Sequence, residues 1–251
     1  MKRAPRCAVY CLLASAPVPV VAIPPLVSGD VPTAPKGICE LFVGHILRDD
    51  GGVTQHSLPF WELVYGATGR QEFTVEMPVI LRDAEGDTTG GVGDAVVGTK
   101  VRLIGEPASD SGLSASVEVK LPTGDRDRGL GSGAADLDLR LRWGREVRSN
   151  VLYFNLGRTW IGEPEGKRLD DTWFYSAVWD RALQRRIRLL TEVYGKTSDD
   201  PDGPDRLAAT VGVKWKIPAR QQFHFSVGRS LRTDAEGGPR LRVYTGWRWD
   251  F

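Results

Sequence analysis

The chain has 251 residues, a formal net charge of +1, and 29 glycines, 16 prolines and 8 tryptophans. No segment is dominated by basic residues, which argues against nucleic acid as a partner. The glycine and proline content suits many strands joined by turns better than a helical bundle, where both residues are costly.

At the start, Lys2, Arg3 and Arg6 precede the apolar run CAVYCLLASAPVPVVA, with Val20 and Ala22 suited to cleavage before Ile23. This pattern predicts a secretory signal peptide over residues 1–22, a retained membrane anchor being the alternative. Removing it takes away three basic residues together with Cys7 and Cys11, leaving Cys39 without an intrachain disulfide partner. Residues 23–36 are read as a short periplasmic N-terminal segment and residues 37–251 as one barrel.

From about residue 37 the sequence resolves into twelve alternating segments. Those near 37–47, 54–66, 70–82 and 92–104 come first; in the third, Phe73, Val75, Met77 and Val79 oppose Glu72, Thr74 and Glu76. LSASVEVKL sets Leu113, Ala115, Val117, Val119 and Leu121 against Ser114, Ser116, Glu118 and Lys120. ADLDLRLRW splits Ala135, Leu137, Leu139, Leu141 and Trp143 from Asp136, Asp138, Arg140 and Arg142. Segments near 149–161, 171–180 and 185–197 follow, then RLAATVGVKWKI, QFHFSVGR and the final strand. There Leu241, Val243, Thr245, Trp247, Trp249 and Phe251 share one face, and Arg240, Arg242, Tyr244, Gly246, Arg248 and Asp250 the other.

Period-two alternation also fits a half-buried soluble strand, so a secreted β-sandwich stays open at this point. Three features favour a membrane. The segments run about 10 to 13 residues, near the span of a tilted transmembrane strand. Trp143, Trp160, Trp215, Trp247, Trp249 and Phe251 fall near strand ends, where interfacial girdles belong. RDDGG, DAEGDTTGG, TGDRDRGLGSG, GEPEGKRLD, SDDPDGPD and TDAEGG read as long outer loops, and ATGR, REVRS, ALQR and IPAR as short periplasmic turns, with GEPASDSG an exception among the turns. Unpaired backbone groups are costly in hydrocarbon, so such strands must close on themselves. The expected fold is all-β: a closed antiparallel up-and-down transmembrane β-barrel of about twelve strands in the bacterial outer membrane.

Gly246, Trp249 and Phe251 resemble the C-terminal targeting signal of outer-membrane barrels, which implies reading by the barrel-assembly machinery; an ordinary amphipathic edge strand is the alternative. GVGDAVVGTKVRL, EVKLPTGDRDRGLGSGAADLDLRL and EVYGKTSDDPDGPD resemble the outer-membrane transporter family labelled for the meta-pathway of phenol degradation, across most of residues 37–251. The most specific piece is Leu121 to Asp125, then Gly129 to Gly133 and Asp136. The resemblance implies a small barrel that moves aromatic or other hydrophobic compounds. Arg158 departs from it, standing on the lipid parity, where a long side chain near a strand end can snorkel.

With lipid against the apolar faces, the ionised faces line a lumen. Its candidate acids are Glu72, Glu76, Glu118, Asp136, Asp138 and Glu192, with Glu40, Glu62 and Asp250 beside them. Its candidate bases are Lys100, Arg102, Lys120, Arg140, Arg142, Arg186, Arg188, Lys214, Lys216, Arg240, Arg242 and Arg248. A basic excess on the last three strands would favour anions. Alternatively the rows neutralise one another and occlude the barrel, Arg240 and Arg242 lying near Glu40, and Lys120 near Asp136 or Asp138.

His45, His56 and His224 form no recognisable catalytic set and are read as isolated polar residues. Asp199, Asp200, Asp202 and Asp205 lack the bidentate glutamate of an EF-hand loop and are read as a solvated turn. The glycine-rich loop 129–133 has no Lys-Ser/Thr to hold phosphate. No catalytic residue, metal site or cofactor is expected. The partners are outer-membrane lipid, the assembly machinery and a small-molecule solute transported passively through a narrow charged lumen. A closed structural or adhesive barrel is the competing function.

Overall fold

A computed structural model of the protein describes residues 25–232 and 240–251. The expected signal segment and the loop TDAEGG lie outside them. The strands are β1 (Cys39–Asp49), β2 (Val53–Gly66), β3 (Gln71–Ala84), β4 (Asp87–Val92), β5 (Ala95–Ile104), β6 (Gly112–Leu121), β7 (Asp136–Val147), β8 (Asn150–Trp160), β9 (Thr172–Gln184), β10 (Ile187–Lys196), β11 (Arg206–Ile217), β12 (Gln221–Ser230) and β13 (Leu241–Asp250).

Every strand pairs antiparallel with its sequence neighbour, save at one place. Both β4 and β5 pair with β3, β4 along Val79 to Ala84 and β5 along Gln71 to Glu76, so together they fill one position of a twelve-position wall. The break has a local cause. Pro78 of β3 has no N–H to give the ladder, and between the two pieces Gly93 donates to the Pro78 carbonyl at 2.9 Å. Phe60, opposite Pro78, begins the pairing again after a register shift that spans Leu58 and Pro59 of β2.

Strand β13 closes on β1 in register from Glu40 opposite Asp250 to Asp49 opposite Leu241. Cys39 and Phe251 exchange backbone hydrogen bonds of 2.8 and 2.9 Å beyond that ladder. Closure pairs the strands into a continuous wall, as a membrane requires, and the one strand edge left, that of the short β4, is met by loop 122–135, where Arg128 donates to the Gly90 carbonyl at 2.9 Å. Burial is inverted relative to a soluble protein. On β7, Asp136, Asp138, Arg140 and Arg142 are buried while Leu137, Leu139, Leu141 and Trp143 are exposed. That inversion in a closed sheet excludes the soluble sandwich and is the pattern of an outer-membrane barrel.

One end of the barrel carries the connections 67–70, 105–111, 148–149, 185–186 and 218–220; the other carries 50–52, 85–86, 122–135, 161–171, 197–205 and the link from β12 to β13. These are called the turn end and the loop end. DAEGDTTGG is not a long loop: it is a hairpin in which Glu85 and Gly86, at φ of 55° and 87°, make the turn and the remainder extends β3 and β4. Trp61, Trp143, Trp179, Trp215, Trp247 and Trp249 lie towards the turn end, and Trp160 and Trp173 towards the loop end.

Residues 25–34 run inside the barrel. They enter at the turn end, where Thr33 donates to the Gly69 carbonyl at 2.6 Å, and reach mid-wall, where the Pro25 carbonyl accepts from Ser226 at 2.6 Å. The sequence reading placed this stretch in the periplasm. It has no alternation to announce it, because a segment enclosed by polar walls on all sides has no single apolar face.

Candidate functional site: the barrel lumen

Neighbouring strands place opposite charges at contact distance across the lumen wall. Lys120 on β6 meets Asp136 on β7 at 2.5 Å; Arg142 meets Glu118 at 3.4 Å and donates to Ser116 at 2.7 Å. Arg140 reaches Asp138 at 3.2 Å and lies over the Phe174 ring at 4.3 Å. Arg188 pairs with Asp180 at 2.7 Å, and Arg248 with Glu40 at 2.8 Å and Asp250 at 2.5 Å. Paired charges in a low-dielectric space cost far less than lone ones, which is why these rows are interleaved.

The enclosed segment completes the network. The Val27 and Ser28 amides donate to the two oxygens of Glu192 at 3.0 and 2.6 Å, and the Ser28 hydroxyl bonds the same carboxylate. Asp30 lies 3.5 Å from Lys100 and 3.9 Å from Lys214, while Lys100 also holds Glu72 at 2.9 Å. The Ala34 amide donates to Glu72 at 2.6 Å. Leu26 and Val31 join Val151, Tyr153, Val178 and Leu190 in a small apolar cluster. The Arg142 side chain passes directly against Gly29, where a Cβ would stand 2.3 Å from its Nε.

Several expected lumen residues are elsewhere. Arg186 lies in the turn between β9 and β10, Lys216 is exposed at the turn end, and Arg240 is exposed in the link before β13. Arg102 points inward but donates to the carbonyls of Ile104 at 3.0 Å and Ser111 at 2.7 Å, organising the turn 105–111. The antiparallel seam puts Arg242 opposite Arg48 at the loop end, so Arg248, not Arg240 or Arg242, serves Glu40. Arg242 instead donates to the Pro25 carbonyl at 3.4 Å. A continuous basic track along the last strands is therefore absent among the described residues.

Some participants escaped the sequence reading. Asp30, Ser28 and Arg48 lay outside the regular pattern or at its ends. His45 and His56 are not isolated: their ring nitrogens are 2.9 Å apart and the rings stack at 5.1 Å, on the outer face beside the β1–β2 register shift. Glu76 stands opposite Glu62 on β2, and both are buried. Arg158, on the outer face, holds Asp171 at 2.9 Å between the rings of Trp160 and Trp173.

The glycine-rich motif has a structural task. Asp94, in the break between β4 and β5, accepts from the amides of Gly124 at 2.9 Å and Ser132 at 2.8 Å, while Thr123 donates to the Gly93 carbonyl at 3.0 Å. A Cβ on Gly131 would meet Asp94 at 2.5 Å and the Gly124 carbonyl at 2.6 Å. GVGD and LPTGD…GLGSG thus lock one loop over one discontinuity in the wall.

A family model described as "Putative MetA-pathway of phenol degradation" matches residues 50–242. The chain belongs to that family. No curated protein sequence matches it. Among solved structures, it is similar to an outer-membrane channel from Pseudomonas putida F1 at 18% identity and a TM-score of 0.72, covering 89% of this chain and 98% of that one. The KdgM porin, solved in complex with disordered oligogalacturonate, matches at 10% identity and a TM-score of 0.57, covering 84% and 99%. The NanC porin matches at 7% and 0.57, covering 83% and 98%. The fold shared with these proteins is that of barrels of the bacterial outer membrane, where this family member resides.

Proposed function

We propose that the protein is a narrow channel through which a small solute crosses the outer membrane passively, aromatic or hydrophobic compounds being the first class to test. The observation that carries this reading is the nature of the filling. The centre of the barrel is occupied by residues 25–34, held through carboxylates, amides and ion pairs that water or a solute can replace. Lumen charges would set polarity and constriction, and shifting the segment would widen the path. The family's phenol-degradation description supports the aromatic class.

The experiment is single-channel recording of the purified protein in planar bilayers, with phenol uptake into proteoliposomes as the second readout. Repeated current steps and uptake faster than in empty liposomes are expected. Silence and unaltered uptake from folded protein would instead favour a closed structural barrel, to which the paired wall charges also lend themselves.

A further inference from the structure

One pair of lumen carboxylates stands outside the network of ion pairs. Glu62 on β2 and Glu76 on β3 are direct register partners, 1% and 3% exposed. Each keeps an oxygen buried with no hydrogen-bond partner, and neither forms an ion pair among the described residues. The surrounding cations are committed elsewhere: Lys100 to Glu72 and Asp30, Arg142 to Glu118, Lys120 to Asp136, Arg248 to Glu40 and Asp250. Two adjacent buried carboxylates without a counter-charge are costly, and a visiting cation relieves that cost.

A second observation comes from a different strand. The Tyr244 side chain on β13 is fully buried and its hydroxyl has no hydrogen-bond partner among the described residues. Its ring packs edge-on against Phe60, two residues before Glu62 on the same face, at 6.5 Å between centroids. Gly44 and Gly246 are register partners, and both lack the Cβ that would collide with this hydroxyl; on Gly246 it would stand 2.1 Å away. The tyrosine therefore lies along the wall from residue 244 towards the level of Glu62.

We propose that Glu62, Glu76 and the Tyr244 hydroxyl form a lumen subsite for an organic ammonium group. An ammonium offers three donors and accepts none, matching two carboxylates and one hydroxyl oxygen. The rings of Phe60 and Tyr244 put hydrocarbon beside the carboxylates, which favours an organic cation over a hydrated metal ion. No cluster of three or more histidine, cysteine or acidic side chains suited to a metal occurs among the described residues. The inference deepens the channel reading by naming a group the lumen receives, but binding can be measured apart from conduction.

The test is calorimetric titration of the detergent-solubilised protein at neutral pH with n-butylammonium, potassium and calcium chlorides. Saturable n-butylammonium binding is expected, weakened about tenfold or more in Glu62→Gln or Glu76→Gln and absent from the double variant. Tyr244→Phe, which keeps the ring, should weaken it as well and serves if the double variant fails to fold. No saturable binding by the native protein, as for carboxyls that merely share a proton, overturns the subsite. So does unchanged binding in both single glutamine variants, or tighter binding of calcium or potassium. A protein that binds n-butylammonium but carries no current sinks the channel and leaves the subsite; one that conducts but binds none does the reverse.

Discussion

The backbone amide of Ser28 donates to Glu192 at 2.6 Å, so one β10 side chain anchors the segment that fills the barrel. Hydrogen bonds to a charged acceptor contribute ~1.5–3 kcal/mol each. Glu192→Ala should release residues 25–29 while leaving the β9–β10–β11 backbone ladder intact. Larger single-channel currents and faster protease cleavage near residue 28 are the expected readouts, with Glu192→Gln intermediate.

Lys120 and Asp136 form the shortest lysine pair of the wall, 2.5 Å apart and both buried. Removing either partner leaves a buried lone charge. Lys120→Met alone, or Asp136→Leu alone, should destabilise the barrel by ~3–5 kcal/mol. The double variant should lose far less. Urea unfolding in detergent micelles separates the three cases.

Asp94→Ala should leave the barrel closed and unlock loop 122–135, whose Gly124 and Ser132 amides lose their acceptor. Hydrogen exchange should accelerate at those two amides, with little change on the β6–β7 ladder.

Alternation made the wall legible. ADLDLRLRW gives its inward and outward residues without error because nothing interrupts β7. In β2 the register shift between Ser57 and Phe60 lies where Leu58 and Pro59 break the period, so parity counted from one side fails on the other. The pairing of Lys120 with Asp136 was accessible because a hairpin fixes it; that of Arg248 with Glu40 depended on the seam register, which no local pattern encodes. Residues 25–34 were misplaced for a different reason, since their hydrogen bonds and ion pairs reach β3, β5 and every strand from β8 to β13 and leave no periodic trace. The histidine pair was hidden by the β1–β2 irregularity, which brings together side chains eleven positions apart.

A pH effect is expected at the loop end. The Arg158 side chain, by hydrogen bonding Asp171, holds its carboxyl below the ordinary aspartate value of 3.8. A depressed native value means the contact contributes stability above the ordinary value and loses it as pH falls through the lower one. Proteolysis or exchange of loop 161–171 should therefore rise only below about pH 3.8. Arg158→Ala should raise it at neutral pH.

Phe251→Ala tests the proposed assembly signal formed with Gly246 and Trp249. The protein should reach the outer-membrane fraction in smaller amounts, yet refold normally in detergent, because the backbone bonds between residue 251 and Cys39 do not need the ring.

The contact between Ser28 and Glu192 joins positions 164 apart, and that between Arg242 and Pro25 positions 217 apart. Wall pairing, by contrast, is mostly between consecutive strands. Long-separation contacts are slow to form. The staves can therefore zip up hairpin by hairpin, while the interior is furnished only after β13 arrives, making its occupancy a late event in maturation, distinct from the moment the cylinder first becomes watertight.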